Sequence, residues 1–141
     1  MTVIVWDGKT LAADKQFTNA GLRRTGTKLF RLRDGAVGIE GITADALALV
    51  DWLRGDRKPA DFPESCKGDD APAVLGVING KIQYWNGSPY PVTYDEPFTA
   101  TGSGRDYAIA AMHCGKTAAE AVEIASIYDN ACGLGVDTLA P

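Results

Sequence analysis

The head of the chain constrains the fold more than any other stretch. Two short apolar runs, Thr2–Trp6 and Lys9–Ala13, flank the pair Asp7-Gly8. An Asp-Gly pair between apolar runs signals a hairpin, because a tight primed turn needs positive φ at its central residues. This hairpin begins one residue into the sequence, where chains ordinarily fray. A buried strand there implies that the terminus itself is held in place. Once Met1 is removed, Thr2 carries a hydroxyl and a free amine on one residue, a nucleophile with its own base. On position alone, the reading of Thr2 as an ordinary β-branched strand residue is the stronger of the two.

The 141 residues read as a single domain spanning 1–141, with 45% hydrophobic and 23% charged residues. The net charge is −4, and the basic residues between Arg23 and Arg33 are interleaved with apolar ones. A nucleic-acid partner, which requires clustered Lys and Arg, is therefore not expected. No apolar run approaches the ~20 residues of a membrane span. The start lacks the charged-then-apolar layout of a secretion signal, so no membrane partner is expected either. Cys66, Cys114 and Cys132 are odd in number and irregularly spaced, which argues against a disulfide framework and for a reducing cytoplasm. His113 is the only histidine, so a Cys/His zinc site is not expected and a His-based triad would rest entirely on it; no cofactor is expected. His113 and Cys114 are adjacent near the end of a helix and do not face each other.

Along the chain, Phe17–Gly26 reads as a polar, glycine-punctuated loop. Lys28–Leu32 alternates polar and apolar residues as a half-buried strand does. Arg33-Asp34-Gly35 turns into a further strand, Ala36–Ile39. A helix then opens with Thr43 as its N-cap, buries Ala46, Leu47, Leu49, Val50 and Leu53, and ends at Gly55. Asp56–Pro72 is a polar connection. Ala73–Ile78 and Lys81–Trp85 form a hairpin about Asn79-Gly80. Asn86–Glu96 is rich in turn residues, and Phe98–Thr101 is a short strand leading into Gly102-Ser103-Gly104. Two helices follow, Asp106–His113 and Thr117–Tyr128, the second with the capping-box pattern Thr117-Ala118-Ala119-Glu120. A last strand lies near Val136–Leu139. Hairpin-linked strands with helices in separate blocks predict an α+β layered fold with antiparallel sheet between helical layers. Trp6, Trp52 and Trp85 are expected in the core or at subunit contacts.

Taken together, these residues resemble the proteasome β-subunits and their bacterial two-component relatives, which are N-terminal-nucleophile hydrolases with a four-layer αββα sandwich. Thr2-Val3-Ile4-Val5 followed by Leu11-Ala12-Ala13-Asp14 is similar to that family's opening hairpin. Thr27-Lys28-Leu29-Phe30 resembles its lysine-bearing strand, and Glu40-Gly41-Ile42-Thr43-Ala44-Asp45 its glycine turn into the first helix. Gly102-Ser103-Gly104 before Tyr107-Ala108 resembles its glycine-serine loop. Tyr128-Asp129-Asn130-Ala131-Cys132-Gly133 is similar to its late Asp-x-x-Ser-Gly motif, with Cys132 where the family has serine. The resemblance spans nearly the whole chain in order, with a shortened first helix and following segment around Asp56–Pro72, a region that in the family helps subunits meet.

The resemblance implies a threonine peptidase. Thr2 would be the nucleophile, its α-amine the base, with an unperturbed pKa near ~8. Lys28 would lower that pKa and stabilise the alkoxide. Asp14 would hold Lys28, since a buried ammonium needs a partner. Gly41 would supply an oxyanion-hole N–H. Ser103, Asp129 and Cys132 would form the network behind the amine, with the Cys132 thiol a weaker donor than the family's hydroxyl. Thr18 would hold the peptide backbone, and Ile39 would line the first specificity pocket. The implied partners are a peptide or unfolded-protein substrate, further copies of the chain in a ring, and an ATP-dependent unfoldase. Only Met1 precedes Thr2, so its removal by a host aminopeptidase or by self-cleavage is expected. Two other readings stand beside this one: a catalytically silent assembly protein that retains Met1, and an N-terminal-nucleophile amidase acting on a small amide.

Overall fold

Apolar strands joined by short polar turns, with three amphipathic segments between them, give a mixed fold in the computed structural model, which describes all residues from Met1 to Pro141. In chain order the elements are β1 (Ile4–Trp6), β2 (Leu11–Asp14), β3 (Gln16–Asn19), β4 (Leu22–Thr25), β5 (Leu29–Leu32), β6 (Gly35–Glu40), α1 (Thr43–Arg54), β7 (Ala73–Ile78) and β8 (Lys81–Asn86). They continue with β9 (Val92–Tyr94), β10 (Thr99–Thr101), α2 (Arg105–His113), α3 (Ala118–Tyr128) and β11 (Val136–Leu139). The chain divides into two compact units, the first comprising Met1–Leu29 and Glu96–Ala140, the second Phe30–Asp95 with Pro141.

In the first unit, β1 is a central strand. It pairs antiparallel with β10 on one side and β2 on the other, and β11 completes the order β10-β1-β2-β11. The turn after β1 is not the tight two-residue turn that Asp7-Gly8 predicts. It is a four-residue loop in which only Gly8 has positive φ, +96°. The physical reason is the Asp7 side chain: Oδ1 accepts the N–H groups of Lys9 (2.9 Å) and Thr10 (2.8 Å), closing the loop through the carboxylate. Oδ2 accepts the N–H of Ala118 at 2.8 Å and so ties this loop to the start of α3. The capping box of α3 is formed as predicted, with Thr117 and Glu120 each bonded to the other's backbone N–H.

Phe17–Gly26, expected as a loop, is instead the hairpin β3–β4, turning at Ala20 and Gly21 with φ of 50° and 79°. Its strands are largely solvent-exposed and carry no apolar alternation, so periodicity gives no sign of them.

The second unit holds the five-stranded antiparallel sheet β5-β6-β7-β8-β9. The Asn79-Gly80 turn has φ of 49° and 78° at its two residues, the primed geometry that the pair predicts. Asn86–Glu96, read only as turns, contributes the edge strand β9. Helix α1 starts one residue earlier than its expected cap allows. Ile42 is the N-cap and makes no side-chain bond, and Thr43 is already helical. Its buried face is Ala46, Leu49, Val50, Trp52 and Leu53, whereas Leu47, expected there, is exposed. In the connection Asp56–Pro72, two short 3-10 turns seat Phe62 edge-on against Trp52, with ring centroids 5.0 Å apart. They also bury Cys66, whose thiol donates to the Asp45 carbonyl at 3.2 Å. All three tryptophans are buried.

Candidate active site

Three polar side chains converge at the head of the first unit. Thr2 enters β1, Asp14 ends β2, and Lys28 stands just before β5. All three are buried, Asp14 fully so. Lys28 Nζ donates to Thr2 Oγ1 and to Asp14 Oδ1 at 2.8 Å. A buried ion pair loses more to desolvation than it gains unless the remaining lone pairs are satisfied. Here three backbone N–H groups do so: Val3 to Oδ1 at 3.1 Å, Gln16 to Oδ2 at 3.2 Å and Gly133 to Oδ2 at 3.1 Å. Asp14 therefore fixes Lys28 and pins three chain segments around it. The Phe17 ring centroid lies 5.2 Å from Lys28 Nζ, within cation–π reach.

A second cluster lies behind the Thr2 nitrogen. The Thr2 N–H donates to Ser103 Oγ at 3.2 Å, and the Thr2 carbonyl accepts the Gly104 N–H at 3.2 Å. This close approach needs glycine at 102, where φ is +93° and a Cβ would collide with the Thr2 carbonyl. The hydrogen bond from Ser103 holds the Asp129 carboxyl below the usual carboxylate value, against an opposing effect of burial and with help from the Ala131 N–H. The Cys132 thiol donates to Asp129 Oδ2 at 3.4 Å and sits 3.8 Å from Ser103 Oγ. Burial, reinforced by the charge of Asp14, pushes this thiol up to about 12. At neutral pH it stays a protonated donor.

The sequence reading thus names Thr2, Asp14, Lys28, Ser103, Asp129 and Cys132, and the fold brings these six together. Thr18 lies on β3 of the same unit, exposed and opposite Arg23. Gly41 and Ile39 belong to the second unit. Gly41 is exposed with φ of +95°, and a Cβ on it would lie 3.0 Å from Pro72 Cα. Ile39 packs in that unit's core with Leu49 and Trp85. Gln16 was missed: it is buried, and its Nε2 donates to the Asn130 carbonyl at 3.1 Å, bracing the segment that carries Asp129 and Cys132. A polar amide two residues beyond Asp14 was its only signal. The N–H groups of Val3 and Gly133 left none, because backbone donors have no signature in sequence.

Antiparallel sheets with three helices, and a threonine, a lysine and an aspartate gathered at the head of the chain, give a proteasome-like fold. Among solved structures that share it, BPH of Thiobacillus denitrificans, a bacterial proteasome homologue, superposes with a TM-score of 0.75 at 20% identity, over 99% of this chain and 96% of that one. The same BPH in complex with epoxomicin gives 0.74 at 18% identity, covering 99% and 97%. Eukaryotic HslV from Trypanosoma brucei gives 0.72 at 23% identity, covering 98% and 97%. At such identities the likeness establishes the fold. No protein-family model and no curated protein matches the chain by sequence. No helix is long and apolar enough to cross a membrane.

Proposed function

We propose that this chain is a threonine peptidase that hydrolyses peptide bonds with Thr2 after Met1 is removed. The observation that carries the reading is the Lys28 ammonium, paired with buried Asp14 and hydrogen-bonded to Thr2 Oγ1. Removal of Met1 frees the Thr2 amine beside Ser103. Thr2 Oγ then attacks the scissile carbonyl carbon and its proton passes to that amine. Lys28 stabilises the oxygen as its proton leaves, and the Gly41 N–H receives the carbonyl oxygen as it becomes an oxyanion. When the C–N bond breaks, the leaving amine takes the proton from the Thr2 ammonium, and an ester remains on Oγ. Water, deprotonated by the same amine, hydrolyses the ester and restores the site. Ser103, Asp129 and Cys132 orient the amine, Thr18 holds the substrate backbone, and Ile39 lines an apolar first pocket.

In this reading the two units form one domain, a four-layer αββα sandwich with a shortened first helix. Copies assemble into a closed or related ring in the cytoplasm and receive unfolded chains from an ATP-dependent unfoldase. The fold shared with BPH and HslV supports this. Intact-mass measurement is expected to show loss of Met1 and a gain equal to epoxomicin on incubation with that compound, which one of the similar structures holds. Thr2→Ala is expected to abolish both that gain and the cleavage of small fluorogenic peptides; activity that survives it refutes the assignment.

A further inference from the structure

The stretch Lys15–Lys28 carries Lys15, Arg23, Arg24 and Lys28 without one acidic residue, in a chain whose net charge is −4. Two of the four are matched: Lys15 pairs with Asp137 at 2.8 Å and Lys28 with Asp14. Arg23 and Arg24, on β4, are exposed, and their side chains make no ion pair. Arg24 stands directly across the hairpin from Phe17, so the two side chains share a face. That face is the one whose aromatic ring lies beneath Lys28 Nζ, and Lys28 is bonded to Thr2 Oγ1. An unmatched guanidinium is therefore one cross-strand neighbour away from the nucleophile's lysine. Arg23 shares the opposite face with Thr18 and Gln16, the face that reaches the Asn130 carbonyl.

We infer that Arg24 selects substrates carrying a carboxylate side chain near the cleaved bond, with Arg23 adding to the local positive field. The inference rests on the peptidase reading and names the substrate class for that same site. A guanidinium offers paired donors in a fork that fits a carboxylate. Because the group is exposed, its contribution is modest and screened by salt.

The test uses Met1-free protein and fluorogenic peptides that differ at one residue, Glu, Gln or Lys, moved through successive positions on the acyl side of the cleaved bond. At one of those positions the Glu peptide is expected to show about 2- to 5-fold higher kcat/KM than the Gln peptide at low salt, with a smaller gap at high salt. Arg24→Ala is expected to erase the gap, Arg24→Glu to favour the Lys peptide, and Arg24→Lys to keep part of the preference, while cleavage of the Gln peptide persists in all three. Equal cleavage of the three peptides, or a preference unchanged by Arg24→Ala, overturns the inference and leaves the peptidase reading standing. No cleavage of any peptide together with no epoxomicin adduct overturns both.

Discussion

The two units bury different kinds of residue. The core of the first is rich in small apolar side chains, Ala12, Ala108, Ala118, Ala121 and Ala125 with Val3, Val5 and Val122, beside the larger Ile4, Leu11 and Met112. That of the second is built from large ones, Leu49, Trp52, Leu53, Phe62 and Trp85. The buried polar residues Thr2, Asp14, Gln16, Lys28 and Thr99 all belong to the first. Each large apolar side chain contributes about 1.5–3 kcal/mol on burial, an alanine much less. The first unit therefore draws less stabilisation from its core while also bearing the desolvation of an ion pair. Buried polar groups are concentrated in the first unit, and the second buries the larger number of big apolar side chains.

The largest effects come from breaking each kind of burial in turn. Lys28→Met leaves the Asp14 carboxylate buried without its cation and is expected to cost about 3–5 kcal/mol, read from urea unfolding, with loss of the epoxomicin adduct. Leu53→Ala in the second core is expected to cost about 2–5 kcal/mol through its cavity, yet to keep adduct formation wherever the protein remains folded. Loss of the adduct in folded Leu53→Ala would break the division between the units.

A smaller effect is expected at the loop after β1. Asp7→Ala removes the bonds to the N–H groups of Lys9, Thr10 and Ala118 and should cost about 1–3 kcal/mol. Hydrogen exchange should localise the loosening to that loop and the start of α3.

The smallest effects are those of pH. Asp129 titrates below its ordinary value of 3.8, so its stabilising contribution is present above that value and is lost as pH falls through the lowered one. Asp129→Asn should remove that acid dependence. Cys132 moves the other way, from 9.0 to about 12. Its contribution is complete below 9.0 and is lost as pH rises between the two values. Timed alkylation near neutral pH should accordingly modify exposed Cys114 alone, with Cys66 and Cys132 reacting only on unfolding.

Side chains that speak through pattern were legible. The apolar run Val3–Val5, the Asn79-Gly80 turn and the Thr117–Glu120 box each carry their own physics in their residue types, and the head-of-chain threonine with Asp14 and Lys28 was readable from order and resemblance. What escaped was geometry without a characteristic residue. The β3–β4 hairpin turns at Ala20, a left-handed alanine that no turn rule favours, and its strands are too exposed to alternate. The donors that satisfy Asp14 are backbone groups, invisible in any sequence. Asp7 misled for a related reason: its side chain took over the work expected of its backbone.

β1 is not an outer strand that happens to begin the chain, because neighbours hold Ile4–Trp6 on both flanks. Met1 projects from this anchored strand, 78% exposed, while Thr2 and Val3 are already sealed in. A trimming exopeptidase consequently loses its flexible substrate at residue 2. Digestion from this end should halt once Met1 is removed, leaving threonine as the new first residue.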